Sequence, residues 1–594
     1  MRSAIGATIA LALLLALAPA AGAKGPPAVH VLVLPSATSV EELAEAGFSP
    51  GLMSTGLGTV PAEQTYLDIG QGNRVFDSLY DDDLPELKPG SAAWWRDVFA
   101  RAESAPADIV PGLLSTTLRM EGLPPPRFET RPAVPEPRSR SQGLLIALAR
   151  PTGEDDDLLP IGVAGPDFDG NLTSGSTRMD GYVLSTDIAP TILDYYGVEV
   201  PTEMTGQPIE STGTVDAAAV ESLGARMAVI SSRRGPVVGL NVVVWLLALA
   251  LVVALSRGRL ARPAVRVIGL AIVYLPLILL LGAALEPGET AERLLVLALS
   301  PLLAGLTLLL LRGYAALAVA AAATVLAYAI DVIAGSPLTS LSLLGPNPGL
   351  GVRFYGIGNE LEALLAVLVV AGAGAGLTAF AADASRRAAV IAFLAVGLCA
   401  AVVFAAGRFG ADVGAAIVFP VGAALAATAI AGRGRRPLFL AVVAAPVAVL
   451  ALLALVDLVS GANAHLTRSV LDAGGLGDLA DVAQRRLQLS AHSFGRPVLL
   501  AFLPVVIAIA ALAYLRRDRL QAWLAEVPAM RAGLLGAVAA TIVGTLANDS
   551  GALLLEIGTA YLLVFTGFAW AESPAESAED ITSDEKLQFR APRV

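Results

Sequence analysis

Apolar runs of about 20 residues, separated by short polar breaks, fill the chain after residue 234. A helix of that length crosses the hydrocarbon core of a bilayer, where the backbone must satisfy all of its own hydrogen bonds. The sequence therefore predicts an all-α bundle of about eleven transmembrane helices within residues 235–571. The predicted spans are 237–256, 264–284, 292–311, 315–333, 359–380, 387–406, 411–431, 437–456, 497–515, 531–547 and 551–570.

The composition agrees with a chain that has the lipid bilayer as its main partner. Of the 594 residues, 55% are hydrophobic and only 15% are charged, which is too apolar for an ordinary soluble protein. The net charge of -12 argues against nucleic acid as a partner, because no dense basic face is available to neutralise phosphates. Cys399 is the only cysteine, so a disulfide framework and a cysteine-based metal cluster are both excluded.

The N-terminal segment has the pattern of a secretory signal. Arg2 precedes an apolar run over residues 9–17, and Ala21-Gly22-Ala23 resembles a cleavage site. We therefore predict a signal peptide over residues 1–23, which places the following domain outside the cytoplasm. If the segment is not cleaved, it becomes an anchor and the domain after it is still outside.

Arginine clusters in alternate loops indicate the orientation of the helices. If the first domain is outside, the loops that contain "SRGRLARPAVR", "ASRRAA", "AGRGRRP" and "LRRDRLQ" are cytoplasmic, as the positive-inside rule requires. We predict a multi-pass protein of the plasma membrane with a cytoplasmic, acidic and disordered tail over residues 572–594.

Residues 24–234 have the mixed apolar and polar sequence pattern that is expected of a secreted α/β domain. The runs "AVHVLVL" (28–34) and "GLLIALA" (143–149) predict buried strands. Ser39 followed by Glu42 predicts a capping box at the start of a helix. The proline-rich residues 122–142 predict an irregular connector.

The longest predicted exterior loop in the membrane half covers residues 457–496. Apolar residues among charged neighbours there favour an amphipathic helix on the membrane surface, or else a connecting helix packed on the bundle. Asp331 and Asp457 lie near the ends of predicted spans, where we interpret them as interfacial caps.

The segment "LLPIGVAGPDFDGNLTSGSTRMDGYVLSTDIAPTILDYYGVEVPTEMTGQPI" (158–209) resembles the C-terminal part of the alkaline-phosphatase-like superfamily. It has a strand that ends at a glycine, a surface excursion, Thr186-Asp187 before a helix, and then "MTGQPI". The segment "VHVLVLPSATSVEELAEAGFSPGLMSTG" (29–56) is similar to the first strand and helix of that superfamily. The resemblance implies an α/β alkaline-phosphatase-like fold for the extracytoplasmic domain.

Active members of that superfamily bind two divalent metals with aspartates and histidines, and these ligands are missing from this chain. Pro35-Ser36 follows the first strand where an aspartate is expected, and Arg150-Pro151 stands where an Asp-His pair is expected. His30 is the sole histidine before the membrane half. We therefore predict no metal, no cofactor and no hydrolysis in this domain.

Two further features of this domain follow from the missing ligands. Ser54, Thr55 and Thr59 lie where a nucleophile would be expected, but nothing in the sequence would activate them. Asp187 is then most simply the N-cap of the helix that follows it.

Three polar motifs lie where apolar runs meet the predicted exterior face. They are "GVRFYGIGNELE" (351–362), "AGRFGADVG" (406–414) and "LANDSGALLLEIG" (546–558). Charged groups within a bilayer are costly unless they are paired or hydrated, so they are candidates for function. The candidate substrate-binding residues are Arg353, Asn359, Glu360, Glu362, Arg408, Asp412, Asn548, Asp549 and Glu556.

These residue types suit a site for an anionic ligand. Arg353 and Arg408 could bind a phosphate through paired hydrogen bonds. Glu360, Asp412 or Asp549 could serve as a base, a cation ligand or a counter-ion. The alternative is that these charges only pair with one another and fix the helix ends in the bundle.

Three functions remain open from the sequence. The bundle could handle a lipid-linked glycan or an anionic envelope precursor at its outer face, as a transferase or a transporter, with a catalytically inactive outer domain. The protein could instead be a non-catalytic scaffold of the bacterial cell envelope. An active metal-dependent phospho- or sulfo-hydrolase is disfavoured by the missing ligands.

Overall fold

The computed structural model describes residues 28–75, 87–88, 92–105, 108–137, 143–154, 157–432, 444–453, 487–488, 490–491, 493–495 and 497–573. They form two compact units, and the boundary between the units falls after Ala225, with Gly349–Val352 belonging to the first unit. The predicted signal peptide, Asp457, the predicted surface helix before residue 487 and the tail beyond Ser573 lie outside the described residues.

The first unit contains a mixed β-sheet of six strands in the order β3-β1-β4-β5-β2-β7. Strand β5 runs antiparallel to both of its neighbours, and the other strand pairs are parallel. Strands β6 and β8 form a separate antiparallel pair. The strands are β1 (Val29–Leu34), β2 (Ser49–Ser54), β3 (Arg127–Thr130), β4 (Leu144–Ala149), β5 (Leu158–Ala164), β6 (Asn171–Ser174), β7 (Tyr182–Leu184) and β8 (Ile209–Thr212).

Short helices accompany the sheet. They are α1 (Val40–Glu45), α2 (Ala62–Gln71), α3 (Trp94–Ser104), α4 (Leu113–Met120) and α5 (Ile188–Tyr195). The capping box predicted for α1 is confirmed, because the Glu42 amide donates to Ser39 Oγ at 3.1 Å and the Ser39 amide donates to Glu42 Oε2 at 3.1 Å. An α/β region with a mixed sheet is therefore confirmed, whereas membership of the alkaline-phosphatase-like superfamily stays a prediction.

The core of the first unit is made by the strands that the sequence predicted as buried. Val29, Val31, Ile146 and Leu148 are at most 1% exposed, and they belong to one apolar cluster that also includes Ile188 of α5. Burial on both faces of β1 and β4 explains why these strands appear in the sequence as continuous apolar runs rather than alternating ones.

The second unit is helical. After α6 (Ala217–Arg233) and a π-helical turn (Arg234–Gly239), its helices are α7 (Leu240–Leu255), α8 (Ala261–Leu285), α9 (Glu289–Leu310), α10 (Tyr314–Ile333), α11 (Asn359–Phe380), α12 (Arg386–Ala405), α13 (Ala415–Ala431), α14 (Ala444–Leu453), α15 (Pro497–Leu515), α16 (Arg517–Trp523), α17 (Pro528–Ala547) and α18 (Gly551–Glu572).

Eight helices among the described residues are long and apolar enough to cross a membrane. The first of them is the continuous helix Ala217–Leu255, and the remaining seven are α8 to α12, α17 and α18. The other three predicted spans coincide with shorter apolar helices at Ala415–Ala431, Ala444–Leu453 and Phe502–Leu515. A multi-pass membrane protein is therefore the supported reading, and the count of eleven spans stays a prediction.

Glycine allows helices α11, α13 and α17 to approach closely. A Cβ on Gly536 of α17 would lie 2.4 Å from the Gly422 carbonyl oxygen of α13 and 2.8 Å from a methyl group of Val370 in α11. A Cβ on Gly533 would lie 2.9 Å from the Val370 carbonyl oxygen. Small residues at such crossings let backbones meet, which is how membrane helices gain van der Waals contact.

Candidate functional site

The segment before α11 is attached to the loop that joins α12 and α13. The Ile357 amide donates to the Gly410 carbonyl at 3.1 Å, and the Gly356 amide donates to Ser336 Oγ at 2.9 Å. Gly356 has φ +79°, and a Cβ there would lie 1.9 Å from the Gly410 carbonyl oxygen. Glycine is thus required at this position, and its contact brings the first two polar motifs together.

Glu362 lies in the first turn of α11 and is completely buried. Its Oε2 accepts a 2.6 Å hydrogen bond from Asn548 Nδ2, which lies directly after α17. Both carboxyl oxygens press against Gly414, because a Cβ at that position would lie 2.6 Å from Oε2 and 2.7 Å from Oε1. Residues from all three polar motifs therefore surround this one carboxyl group.

Asp412 is 3% exposed and lies beside Glu362, with the two carboxyl groups within hydrogen-bonding reach of each other. Asp412 Oδ1 accepts the Gly414 amide at 3.1 Å. Glu362 Oε1 and Asp412 Oδ2 accept no hydrogen bond from a donor among the described residues. A proton on one of the two carboxyl groups would remove the repulsion of two buried like charges.

Arg353 is the cation of this cluster. It interacts electrostatically with both Glu362 and Asp412, and its guanidinium also donates to the Ile357 carbonyl. The guanidinium therefore stands as counter-ion to the carboxyl pair and has further donors to offer to an anion.

Asn359 and Asp549 extend the cluster towards its exposed edge. Asn359 Nδ2 donates to Asp549 Oδ1 at 3.0 Å, which links the start of α11 to the junction of α17 and α18. Asp549 also acts electrostatically on Asp412. We call the six residues that converge here the carboxyl cluster: Arg353, Asn359, Glu362, Asp412, Asn548 and Asp549.

Among the described residues, the side chains of Glu360 and Glu556 form no hydrogen bond or ion pair with the carboxyl cluster, and Arg408 contacts an aromatic ring. Glu360 forms a 2.8 Å ion pair with Arg234. Arg408 stacks over the Phe409 ring, with its guanidinium carbon 5.3 Å from the ring centroid. Glu556 lies in α18, and among the described residues no contact joins it to the cluster.

Sequence reasoning missed a second buried carboxylate, Glu292 of α9. Its oxygens accept hydrogen bonds from Arg226 at 2.9 and 3.2 Å and from Arg233 at 3.0 Å. Arg226 is only 3% exposed, and its Nε also donates to the Leu341 carbonyl at 3.1 Å. The available signal was an acidic residue at the first position of the third predicted span, together with arginines shortly before the first predicted span.

Asp331, near the end of α10, binds the segment that follows the helix, and its predicted role as an interfacial cap stays a prediction. Its carboxylate accepts the amides of Leu338 at 3.1 Å and Thr339 at 2.7 Å, in the segment that follows α10.

In the first unit, Asp187 occupies the N-cap position of α5, but its side chain does not cap the helix. Instead its carboxylate accepts four hydrogen bonds, from the hydroxyls of Ser174 and Ser176 and from the amides of Leu184 and Gln207, at 2.6 to 2.9 Å. Burial raises the pKa of Asp187, and these four donors oppose that rise. The predicted cap is therefore wrong in its partners, because three of the four donors come from residues distant in the chain and none comes from the first turn of α5.

The histidine of the first unit is also engaged within the fold. His30 Nδ1 lies 3.0 Å from Glu129 Oε1 across the β1-β3 pair. His30 and Arg131 hold the pKa of Glu129 below its usual value. Among the described residues, no three His, Cys, Asp or Glu side chains converge as a metal site would require. Ser54 and Thr55, which the sequence marked as positions for a nucleophile, are fully buried, whereas Thr59 is exposed.

Comparisons with protein-family models, with characterised proteins and with solved structures gave no match to this chain.

Proposed function

We propose that this chain is an integral membrane protein of the bacterial cell envelope that binds a lipid-linked or anionic precursor at the carboxyl cluster, as a transferase or a transporter. The observation that carries the proposal is that segments from three separate helix junctions meet at the buried pair Glu362 and Asp412, with Arg353 beside it. Buried charge of this kind is costly, and it is retained where it serves a ligand or a reaction.

The contrast with Glu292 supports a functional rather than a structural role. The Glu292 carboxylate is saturated by two arginines, which is what a structural ion pair requires. Glu362 and Asp412 each keep an oxygen without a donor among the described residues. A carboxyl pair that only fixed helix ends would gain nothing from two unsatisfied oxygens.

The arginine distribution supports an outer location for the carboxyl cluster. Helix α11 begins at the cluster and ends at Phe380, shortly before Arg386 and Arg387 at the start of α12. Arg516 and Arg517 likewise precede α17, which ends at the cluster. By the positive-inside rule the arginine-rich ends are cytoplasmic, so the cluster faces outward.

We assign the first unit a binding role without hydrolysis, as a degenerate alkaline-phosphatase-like domain. The carboxylate of Asp187 is occupied by four donors, and His30 is engaged with Glu129. The purified protein, supplied with divalent metals and aryl phosphate or sulfate esters, is expected to release no product. Metal-dependent turnover that survives mutation of the carboxyl cluster would refute this assignment.

Lipid and glycan profiling of a deletion strain tests the envelope function. Complementation with Arg353→Ala or Asp412→Asn is expected to leave the deletion profile unchanged, because each removes a charge of the cluster. Glu289→Gln, an exposed acid at the start of α9, is the control and is expected to restore the wild-type profile. A missing modification would indicate a transferase, and an accumulated precursor would indicate a transporter. A deletion strain whose lipid and glycan profile equals that of the wild type would contradict the proposal.

A further inference from the structure

The carboxyl pair and an incoming anion would use the same cation. Arg353 interacts with both Glu362 and Asp412, and among the described residues it is the cation that these two interactions share. The partners that face Glu362 are Asp412, Arg353 and Asn548, and those that face Asp412 are Glu362, Arg353 and Asp549. Within the part of the chain that the structure describes, two buried acids therefore lie beside one arginine that acts on both, with Asp549 nearby.

The charge balance of this arrangement depends on protons. With one proton shared between Glu362 and Asp412, the pair carries a single negative charge, which Arg353 neutralises. An anion that binds Arg353 adds a second negative charge to a buried region, where like charges repel strongly. A second proton, taken from bulk water onto a carboxyl oxygen of the pair, restores neutrality.

We propose that the Glu362–Asp412 pair is a proton site linked to anion binding at Arg353, so that a phosphodiester anion and a proton bind together. The inference rests on the proposed function, because it specifies how the same cluster would accept a lipid-linked phosphodiester. Each acid has one buried oxygen without a donor among the described residues, so the pair offers one such oxygen for the shared proton and one for the second proton. The position of Gly414, whose Cβ would lie 2.6 Å from Glu362, shows that the pair is tightly confined, so a bulky hydrated cation is a poor alternative.

Thermodynamic linkage between proton binding and anion binding determines how anion affinity changes with pH. A proton that accompanies the anion must bind more tightly when the anion is present, and the anion must bind more tightly when the pH is low. For one proton per anion, affinity rises about tenfold for each unit of falling pH within the titration range of the pair. In the double variant Glu362→Gln/Asp412→Asn the pair no longer titrates, so this dependence disappears.

Isothermal titration calorimetry of the purified full-length protein provides the test. The probe is dimethyl phosphate, whose single negative charge does not change from about pH 5 to about pH 8, the range over which the titrations are run. Titration in buffers of different ionisation enthalpy counts the protons. The wild type is expected to take up about one proton per anion, and the double variant none. Binding that is independent of pH in the wild type, or that depends on sodium instead of pH, would overturn the proposal.

Infrared spectroscopy gives a readout that needs no ligand and no folded double variant. At neutral pH, the difference spectrum of wild type minus Glu362→Gln is expected to contain a protonated-carboxyl band, because the variant has lost one of the two acids that share the proton. Glu360→Gln is the matched control on the same helix, since Glu360 pairs with Arg234 instead. A difference spectrum without this band would contradict the shared proton.

Dimethyl phosphate binding to the protein in lipid nanodiscs distinguishes a lipid headgroup from a soluble phosphodiester as the natural ligand. Weaker dimethyl phosphate binding in phosphatidylglycerol than in phosphatidylcholine supports a lipid headgroup as the natural ligand, and equal binding supports a soluble one.

Failure of the proton linkage is separable from failure of the proposed function. If cluster variants abolish the envelope product but the wild type takes up no proton, only the linkage is wrong. If proton uptake is found but the variants restore a normal envelope, only the envelope function is wrong.

Discussion

Two buried glutamates of the membrane unit are stabilised in opposite ways. Glu292 accepts three hydrogen bonds from Arg226 and Arg233, whereas Glu362 accepts one from Asn548 and lies against a second acid. The first arrangement pairs the carboxylate fully, and the second leaves Oε1 of Glu362 without a donor among the described residues, which is the oxygen that we propose for a proton. Mutation should therefore separate the two roles cleanly.

Glu292→Ala is expected to destabilise the membrane unit by about 3–5 kcal/mol, because it leaves a buried guanidinium unpaired. Thermal unfolding of the purified protein in detergent measures the loss. Glu289→Ala in the same helix removes an exposed acid and should change stability by less than about 1 kcal/mol. Equal, small effects of the two changes would show that the buried ion pairs contribute little.

Asp68 gives a pH-dependent prediction for the first unit. Its Oδ1 accepts hydrogen bonds from Gln64, Gln71 and the Val75 amide, while Oδ2 has no donor among the described residues. Burial raises the pKa of Asp68 well above its usual value. The folded state thus binds more protons than the unfolded state between the two pKa values, so stability falls as the pH rises through that window and then levels off.

Asp68→Asn is expected to flatten this profile and to make the first unit more stable than the wild type above the raised pKa. The amide oxygen can accept the same three hydrogen bonds, and no charge has to be buried. Urea-dependent proteolysis of the first unit within the full-length protein, followed across pH, measures the effect. A variant whose stability declines with pH as steeply as that of the wild type would contradict it.

At the scale of elements, close helix crossings hold the cluster in place. Gly536→Ala is expected to cost about 1–3 kcal/mol, because its new methyl group would lie 2.4 Å from the Gly422 carbonyl oxygen and the helices would have to separate. Gly305→Ala in α9 is the control, since a Cβ there meets nothing within 4 Å. Thermal unfolding in detergent measures the stability of both variants. A loss of stability in Gly305→Ala as large as that in Gly536→Ala would contradict the role of close packing at Gly536.

Local sequence signals predicted elements better than they predicted partners. The buried strands β1 and β4 and the Ser39–Glu42 capping box follow from residues adjacent in the chain, and all were predicted. Asp187 was predicted as a cap, yet its donors include Ser174 and Gln207, which are 13 and 20 residues away. Glu292 lies 66 residues from Arg226. Such pairings depend on tertiary packing, which hydrophobic periodicity does not encode.

In the predicted site, too, the sequence identified the motifs but not which side chains contact each other. Polar residues at the ends of apolar runs were sufficient to select the three motifs, because buried charge is rare in membrane helices. The pairing of Glu360 with Arg234 and the contact of Glu362 with Asn548 were not predictable from spacing, although the two acids are only two residues apart. A helical turn directs neighbouring side chains to different faces, and only packing decides which face is the site.

At the scale of the whole molecule, orientation in the membrane can be tested with single cysteines. The sole native cysteine is replaced by Cys399→Ala, and Ser115→Cys or Ala384→Cys is added at an exposed position. A membrane-impermeant maleimide applied to intact spheroplasts is expected to label position 115 and to label position 384 only after permeabilisation. Labelling of position 384 in intact spheroplasts would reverse the proposed topology.

Two acids on the same turn of α11 test whether the carboxyl cluster has a function. Glu362 belongs to the carboxyl cluster, and Glu360 pairs with Arg234 outside it. Complementation of the deletion strain with Glu362→Gln and Glu360→Gln, at equal amounts of membrane-inserted protein, is read by envelope lipid and polymer profiling. We predict that Glu362→Gln reproduces the deletion profile while Glu360→Gln restores the wild-type profile. Full restoration by Glu362→Gln would contradict a functional role for the carboxyl cluster.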